Sequence, residues 1–251
     1  MEKFFKLKER GSTVSKEIVG GITTFLAMAY ILAVNPGILS ATGMSFGSVF
    51  TATAISSAIA TLVMAFVANL PVALAPGMGL NAFFTYTVVL QMGCSWQFAL
   101  TAVLIEGLIF ILLSVFGVRE AIVKSIPESL KKAVSVGIGL FIALIGLANA
   151  GIASSSTGTI IGFVNFNLKN ATALVAIIGL VVTIVLYVIK VPGSILLGII
   201  ITTIIGIPFG VTVIPENFKP FSVPAAPYLF KFDFTNIFTA KFLVVLITFL
   251  F

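Results

Sequence analysis

Two polar side chains, Asn81 and Glu106, lie inside long apolar runs of this sequence. Asn81 comes just after Gly77, Met78 and Gly79. An amide carries both a hydrogen-bond donor and an acceptor, which suits the edge of a heterocycle. If a half-helix begins at these glycines, its free N–H groups and positive dipole end would face the same cavity as Asn81. Asn81 could equally cap its own helix, and the two roles are compatible.

Glu106 lies near the middle of the apolar run 96–116. A carboxylate at the centre of a bilayer costs about 2.5–3.5 kcal/mol on insertion scales, so it should face other helices and be protonated, paired or hydrogen-bonded. One interpretation is a group that binds substrate or couples protons. The other is a neutral carboxyl that bonds a neighbouring helix, and Gly107 favours this structural role because a small residue suggests a tight helix contact.

The segment around Asn81 cannot easily form one continuous helix. Residues 69–86 read NLPVALAPGMGLNAFFTY, which is apolar enough for a bilayer but interrupted by Pro71, Pro76, Gly77 and Gly79. Proline removes a backbone donor and clashes with the preceding turn, and glycine adds backbone entropy. Non-helical backbone at membrane depth is tolerated where protein buries it or where it lines a cavity. Such a broken segment indicates a transporter's binding site, with a tight re-entrant turn or a kinked helix that binds no ligand as the alternative.

The composition predicts a polytopic membrane protein. The chain has 251 residues, of which 59% are hydrophobic and 9% charged, against about 25% charged in soluble domains. At about 20 residues per crossing, the length allows about seven or eight crossings. The sequence has no His and one Cys, Cys94, so within one chain it offers no disulfide framework, no typical zinc or haem site and no His-based triad. No acid–base pair for general catalysis is apparent, so we expect neither an enzyme nor a cofactor.

The hydrophobic pattern divides the chain into a charged leader, apolar segments and a loop. Residues 1–17 are expected to be a cytoplasmic leader, and 211–239 a loop on the opposite side. The first span closes near Asn35-Pro36-Gly37, a stop signal, and residues 151–170 form a polar connection. The predicted segments are 18–39, 46–68, the broken third segment ending near Val89, 96–116, 133–150, 171–189, 191–208, and an incomplete run at 240–251.

The basic residues predict the orientation. With the leader in the cytoplasm and the third segment counted as one crossing, ten of the 14 Lys and Arg residues fall on the cytoplasmic side. This agrees with the positive-inside rule. The cytoplasmic set is Lys3, Lys6, Lys8, Arg10, Lys16, Arg119, Lys124, Lys131, Lys132 and Lys190, against Lys169, Lys219, Lys231 and Lys241.

Several blocks resemble the AzgA-like purine permeases of the nucleobase:cation symporter-2 (nucleobase–ascorbate transporter) family. The first block is GGITTFLAMAYI at residues 20–31, followed by Val34-Asn35-Pro36. The second is ALAPGMGLNAFFTYTV at residues 73–88. IEGLIFILLS at 105–114 and GVREAIVKSIPESLKKAV at 117–134 are similar to the same branch, and the resemblance covers essentially the whole chain.

The resemblance implies an all-α fold of fourteen membrane segments in two inverted repeats of seven, with core and gate elements interleaved in sequence. Segments three and ten would each be a short strand followed by a half-helix. Residues 18–210 would form the first repeat, and 240–251 the start of segment eight. The implied activity is proton-coupled uptake of adenine, guanine or hypoxanthine at the cell (inner or plasma) membrane.

The same resemblance implies roles for individual residues. Asn81 falls on the position expected to contact the purine. Ala75 to Gly79, including Gly77 and Met78, falls on the adjoining strand and turn, whose backbone would face the base. Thr24 and Tyr30 match first-helix positions near the cavity. From the residues alone, Thr24 could bond across helices or back to its own helix.

This chain departs from the implied pattern in its length. The acidic residues expected in segments eight and ten are absent, so we expect an N-terminal half that is inactive alone and needs a C-terminal half, with a homodimer as another partnership. Alternatives are a membrane fragment that only packs with a partner, and a uracil/xanthine or anion transporter of the same fold. The bilayer, a purine and protons are the expected partners; nucleic acid is not.

Overall fold

The computed structural model describes residues 5, 7, 9, 11–118, 124–156, 159–163, 171–214, 224–235 and 237–250, which are mainly helical. The α-helices are α1 (Val14–Met28), α2 (Ile31–Ser40), α3 (Phe46–Val63), α4 (Met78–Ala82), α5 (Trp96–Val115), α6 (Glu128–Asn149), α7 (Ala171–Val188), α8 (Ser194–Gly206) and α9 (Ala240–Leu250). Two stretches are wound as π-helices, π1 (Met64–Ala68) after α3 and π2 (Phe83–Gln91) after α4.

Some predicted features fall outside the described residues. They are residues 1–4, 6, 8 and 10 of the leader, the charged positions Arg119 and Glu120, Lys169, and the part of the long loop from 215 to 223 that contains Lys219.

Five helical segments in the described part of the chain are long and apolar enough to cross a membrane: Val14–Ser40, Phe46–Ala68, Trp96–Val115, Glu128–Asn149 and Ala171–Val188. The chain is therefore a multi-pass membrane protein, as its composition predicts. Where a seventh span was expected at 191–208, α8 has only 13 residues. At 1.5 Å per residue it extends about 20 Å, short of the roughly 30 Å hydrocarbon core.

The first segment differs in detail from its prediction. A turn at Ala29 and Tyr30 separates α1 from α2. The motif Asn35-Pro36-Gly37 does not end the helix, because α2 continues to Ser40 with Pro36 inside it. Pro36 is fully buried, so packing around its ring offsets the hydrogen bond that proline cannot donate.

The expectation of an all-α fold is wrong at one place. Within the connection after α6, β1 (Ala153–Ser156) pairs antiparallel with β2 (Thr159–Phe163). Ala153 lies opposite Phe163 and Ser154 opposite Gly162, with an irregularity between Ser154 and Ser156. The backbone N–H and C=O groups of a connection also need hydrogen-bond partners, and the two strands supply these to each other.

The chain forms two compact units whose segments alternate along the sequence. The first comprises Met1–Val34, Ala52–Pro76 and Leu144–Pro224, and the second comprises Asn35–Thr51, Gly77–Ala143 and Ala225–Phe251. The boundary between Pro76 and Gly77 divides the broken third segment between the two units.

The core of the second unit is built around aromatic side chains. Phe242 of α9 packs edge-on against Phe98 of α5, with ring centroids 5.3 Å apart. Phe249 packs edge-on against Phe83 at 5.4 Å and lies at an angle to Phe84 at 6.4 Å. The last helix therefore packs directly on the start of π2, immediately after α4.

In the first unit, α7 and α8 pack closely through small residues. A Cβ at Gly179 would lie 2.3 Å from the Thr202 hydroxyl oxygen, and one at Gly198 would lie 2.1 Å from that of Thr183. On each helix a glycine thus faces a threonine of the other helix. Small residues of this kind let two membrane helices approach closely.

Candidate substrate site

The helix that leads into the broken segment ends at Asn69. Its backbone is left-handed, with φ 54° and ψ 47°, and the Leu70 N–H bonds the Met64 carbonyl at 3.4 Å. Asparagine tolerates this conformation better than most residues. The Asn69 side-chain N–H donates to the Phe5 carbonyl at 2.9 Å. Asn69 therefore terminates the helix and anchors the first residues of the broken segment.

The non-helical stretch, residues 69–77, is held by side-chain hydroxyls of two helices of the first unit. The Ala73 N–H donates to Thr24 Oγ1 of α1 at 3.2 Å. The Leu74 N–H donates to Thr61 Oγ1 of α3 at 3.0 Å, and that hydroxyl donates to the Leu74 carbonyl at 3.4 Å. Thr61 thus bonds both backbone groups of one residue, as a residue of a neighbouring strand would.

The short strand that the resemblance implied for this segment is not formed within the described chain. A strand requires a partner strand for its backbone groups. Here the hydroxyls of Thr24 and Thr61 take the N–H groups of two successive residues instead. Thr24, an expected site residue, therefore acts on the backbone of the non-helical stretch.

An apolar cavity of about 510 Å³ lies beside the non-helical stretch in the first unit. It is lined by α1, α3 and residues 70–75, and Ala75 is one of its lining residues. Ser57 and Thr61 supply its polar side chains, and the buried Ser57 hydroxyl has no partner within the described part of the chain. An apolar cavity with few polar groups is typical of small-molecule sites.

In the second unit, α4 begins at Met78, after Gly77 with extended backbone (φ −78°, ψ 127°). A Cβ at Gly79 would lie 3.1 Å from Ile138 Cγ2 of α6, so the Ile138 side chain would have to shift slightly to admit a larger residue there. α4 runs without interruption into π2. A π-helical turn inside a helix is often found at functional sites.

Asn81 of α4 is bonded to a second amide that sequence reasoning did not select. Its Nδ2 donates to Asn35 Oδ1 of α2 at 2.6 Å. Asn35 is only 4% exposed, whereas Asn81 is half-buried. The sequence around Asn35 predicts a helix stop. The feature that could have pointed to Asn35 as a site residue is its amide side chain within an apolar run. One turn after Asn81, the fully buried Thr85 hydroxyl has no partner in the described residues.

The expected site residues are divided between the units. Thr24, Tyr30 and Ala75 belong to the first, and Gly77, Met78, Gly79 and Asn81 to the second. Tyr30 is half-buried in the turn before α2 and does not line the cavity beside the non-helical stretch. Glu106 is half-buried in α5, and its carboxylate has no bonding partner in the described part of the chain.

The helical segments define a polytopic membrane protein with an interrupted third segment. Residues 15–251 match the model of the Permease family. The chain belongs to this family. The resemblance seen in the sequence blocks is confirmed at this level.

Three relatives illustrate the similarity. A permease of Methanocaldococcus jannaschii is 46% identical over 251 residues, which are the whole of this chain and 57% of the relative. The guanine/hypoxanthine permease PbuG of Bacillus subtilis is 43% identical over 263 residues, covering all of this chain and 59% of PbuG. The adenine permease AdeP of Escherichia coli is 40% identical over 82% of this chain and 46% of AdeP. The chain therefore spans less than two thirds of the length of these relatives.

Proposed function

We propose that this chain is part of a proton-coupled secondary transporter that takes up purine nucleobases. The observation that carries the proposal is the half-buried Asn81 near the start of a helix that follows a non-helical stretch inside the membrane segments. An amide with accessible donor and acceptor groups suits a base edge. Relatives named as guanine/hypoxanthine and adenine permeases supply the substrate class.

The non-helical stretch supports a role in binding as well as in folding. Its residues 70–75 line an apolar cavity, and apolar walls with few polar groups bury a flat heterocycle well. Thr24 and Thr61 hold the backbone at Ala73 and Leu74. We propose that backbone groups of residues 77–79 contact the base, with Asn81 reading its edge.

We propose further that the 251-residue chain does not transport alone. Within the described chain, side-chain hydroxyls bond the backbone of the non-helical stretch only at Ala73 and Leu74, and backbone groups left unpaired elsewhere in it would be poorly tolerated at membrane depth. The chain also covers 57% and 59% of two relatives. In this proposal a C-terminal half supplies the opposing strand and the acidic groups of the complete site.

Uptake into proteoliposomes tests the proposal. One sample contains the chain alone. The second contains the continued chain, in which the part of PbuG that lies beyond the match is joined to residue 251, and PbuG itself serves as the control. Radiolabelled hypoxanthine is the substrate, with and without an inward proton gradient.

The continued chain should show saturable uptake that a protonophore abolishes, and the chain alone should match empty vesicles. Saturable, proton-driven uptake by the 251-residue chain would refute its incompleteness. If the continued chain incorporates and folds like PbuG but takes up no purine, the assignment of substrate class is wrong. Glu106→Gln then separates coupling from structure, because a coupling carboxylate is needed for the response to the gradient and a neutral structural one is not.

A further inference from the structure

The bond between Asn35 and Asn81 fixes more than the position of a helix. A side-chain amide offers two N–H donors and one carbonyl oxygen. One N–H of Asn81 is bound to Asn35 Oδ1 at 2.6 Å. The side-chain oxygen of Asn81, Oδ1, forms no hydrogen bond within the described part of the chain, and Asn81 keeps part of its surface exposed. The bond therefore holds the Nδ2 end of the Asn81 amide against the protein and leaves the Oδ1 end available.

Asn35 is well suited to hold that orientation. It is 4% exposed, and the following Pro36 is fully buried inside α2. The packing that buries Asn35 within α2 leaves its side chain little room to turn. A buried amide that lost its partner would also leave an unsatisfied polar group, which costs about 1–3 kcal/mol. Asn81, by contrast, would rotate freely about its terminal torsion if Asn35 did not accept from it.

We propose that Asn35 is a positioning residue that makes Asn81 present its carbonyl oxygen, so that the site selects nucleobases carrying an N–H donor at the edge that Asn81 reads. This inference rests on the proposed function, because it takes Asn81 as the residue that contacts the base. A site built around an acceptor rejects an analogue that lacks the matching donor far more strongly than it rejects a change of shape. Asn35 thereby determines specificity without touching the ligand.

The first test needs no ligand. The chain, labelled with ¹⁵N-asparagine and reconstituted in nanodiscs, gives side-chain NH₂ signals, of which that of Asn81 is assigned by its loss in Asn81→Ala. One Asn81 N–H should exchange slowly with water. Asn35→Leu, similar in volume but without an acceptor, should speed this exchange about tenfold or more, equivalent to about 1.4 kcal/mol. Asn35→Asp, which keeps an acceptor oxygen in the same place, should leave it near wild type.

Equal exchange in wild type and Asn35→Leu would overturn the inference, and so would equal acceleration in Asn35→Leu and Asn35→Asp. Loss of fold is recognised separately, because backbone amides of α7 belong to the other unit and would be exposed as well if the whole chain unfolded.

The second test uses the continued chain and competition by hypoxanthines that are methylated on one ring nitrogen each. In wild type, the methyl group that replaces the recognised N–H should weaken competition about tenfold or more relative to hypoxanthine. In Asn35→Leu this penalty should shrink, while Asn35→Asp should retain it. A change that only lowered the amount of folded protein would scale uptake of every compound and leave their ranking intact.

The outcomes separate the inference from the function on which it rests. No purine uptake by the folded continued chain counts against the proposed function. If uptake occurs but Asn81→Ala alters no analogue's ranking, Asn81 is not the contact. If Asn81→Ala removes the methyl penalty while Asn35→Leu keeps it in full, Asn81 reads the base without help, and the positioning role of Asn35 is wrong.

Discussion

Many hydroxyls within the described apolar helices donate to carbonyls of their own helix, and those of Thr24 and Thr61 also bond the backbone of the non-helical stretch. Thr23 donates to Val19 O at 2.7 Å and Thr101 to Gln97 O at 2.9 Å, the usual way to satisfy a hydroxyl in apolar surroundings. Thr24 also donates locally, to Gly21 O at 3.0 Å, but its oxygen accepts from Ala73. The Thr61 hydroxyl donates to the Leu74 carbonyl and accepts from the Leu74 N–H. These two threonines therefore take the place of a neighbouring strand at Ala73 and Leu74.

Removing the Thr61 hydroxyl should loosen the non-helical stretch. Thr61→Val keeps the shape of the side chain but leaves the Leu74 N–H and carbonyl without their partner, at a cost of about 1–3 kcal/mol. Amide hydrogen exchange at Leu74, followed by mass spectrometry on the reconstituted chain, should become at least about tenfold faster, the factor that corresponds to about 1.4 kcal/mol.

Thr61→Ser is the matched control, because it retains the hydroxyl and should keep exchange at Leu74 within about threefold of wild type, equivalent to about 0.7 kcal/mol. If Thr61→Val and Thr61→Ser behave alike, the hydroxyl does not hold the stretch, and packing of the side chain against the cavity accounts for its presence.

For individual residues, the sequence predicts which side chains are candidates for a site better than it predicts their hydrogen-bond partners. Asn81 stands out because an amide next to helix-breaking residues is rare in an apolar run. Its bond to Asn35 joins residues 46 positions apart, and no local pattern encodes such a pairing. Asn35 also precedes a proline, a position that predicts the end of a helix, and this pattern does not indicate a role for the Asn35 side chain. Only the packing that buries Pro36 lets α2 continue and bring Asn35 to Asn81.

Among the elements, the helix pair α7–α8 shows how glycine sets spacing. The distances from Gly179 and Gly198 to the facing threonines leave no room for a methyl group. Both threonines also bond the carbonyl of the glycine one turn earlier on their own helix, Thr183 to Gly179 at 2.8 Å and Thr202 to Gly198 at 2.6 Å. The threonine side chains are thus fixed in the rotamer that meets the opposite glycine.

Gly179→Ala should therefore destabilise the pair, although alanine is the better helix former. Its Cβ would lie 2.3 Å from the Thr202 hydroxyl oxygen, and such overpacking typically costs about 1–3 kcal/mol. Thermal unfolding in detergent, followed by circular dichroism, should show a lower Tm for Gly179→Ala. Adding Thr202→Ala should recover part of the loss, because the remaining Cβ contact is 3.0 Å.

Gly139→Ala provides the comparison, since apart from the adjoining residues and backbone of its own helix no described atom lies within 4 Å of a Cβ built there. Helix propensity alone then acts, and it favours alanine by about 1 kcal/mol, so the Tm should stay the same or rise. A fall in Tm for Gly139→Ala equal to that for Gly179→Ala would show that the close contact is not the cause.

The position of most helices follows from hydrophobic length, while their interruptions do not. The predicted second, fourth and sixth segments agree closely with Phe46–Ala68, Trp96–Val115 and Ala171–Val188. The proline and glycine content correctly excludes a continuous helix at 69–77, but it does not reveal that hydroxyls rather than a strand satisfy that backbone. The strands at 153–163 are short, and their pairing depends on a turn that polar composition alone does not specify.

For the whole molecule, the exposed surface is what a membrane protein requires. None of the residues in the most apolar window of α6 is buried within the chain, and only 6% are buried in that of the first helical segment. Large apolar side chains such as Phe25, Val136 and Leu140 are exposed. In a bilayer such surface faces lipid or other membrane segments, so its exposure stabilises insertion rather than promoting aggregation.

The last loop shows an acid held by its own turn. Asp233 accepts from the hydroxyl and the backbone N–H of Thr235, and these bonds hold its pKa below the usual range. The Asp233 N–H donates to Thr101 Oγ1 at 2.9 Å, which ties the loop to α5. Because the folded pKa is lowered, the stabilisation that these bonds give the turn is present at neutral pH and is lost as pH falls through that pKa. At physiological pH the loop before α9 therefore stays anchored.

The orientation of the chain and the number of crossings after α6 can be tested together. The chain has one cysteine, Cys94, so Cys94→Ser gives a background for single cysteines at Lys132 and Lys231. The Lys132 side chain is 80% exposed and its ion pair with Glu128 spans 3.8 Å, and such surface pairs contribute about 0–1 kcal/mol, so substitution should be tolerated. The charge distribution predicts that Lys132 lies in the cytoplasm and Lys231 outside.

An impermeant maleimide should therefore label Lys231→Cys in intact cells and Lys132→Cys only after the membrane is opened. The reverse pattern would invert the predicted orientation. Labelling of both positions from one side would mean an even number of crossings between them. In that case α8, with its 13 residues, does not cross, and α6 and α7 are the crossings that remain. Opposite labelling would instead require α8 to cross together with the residues that flank it, since its own length is about 10 Å less than the hydrocarbon core.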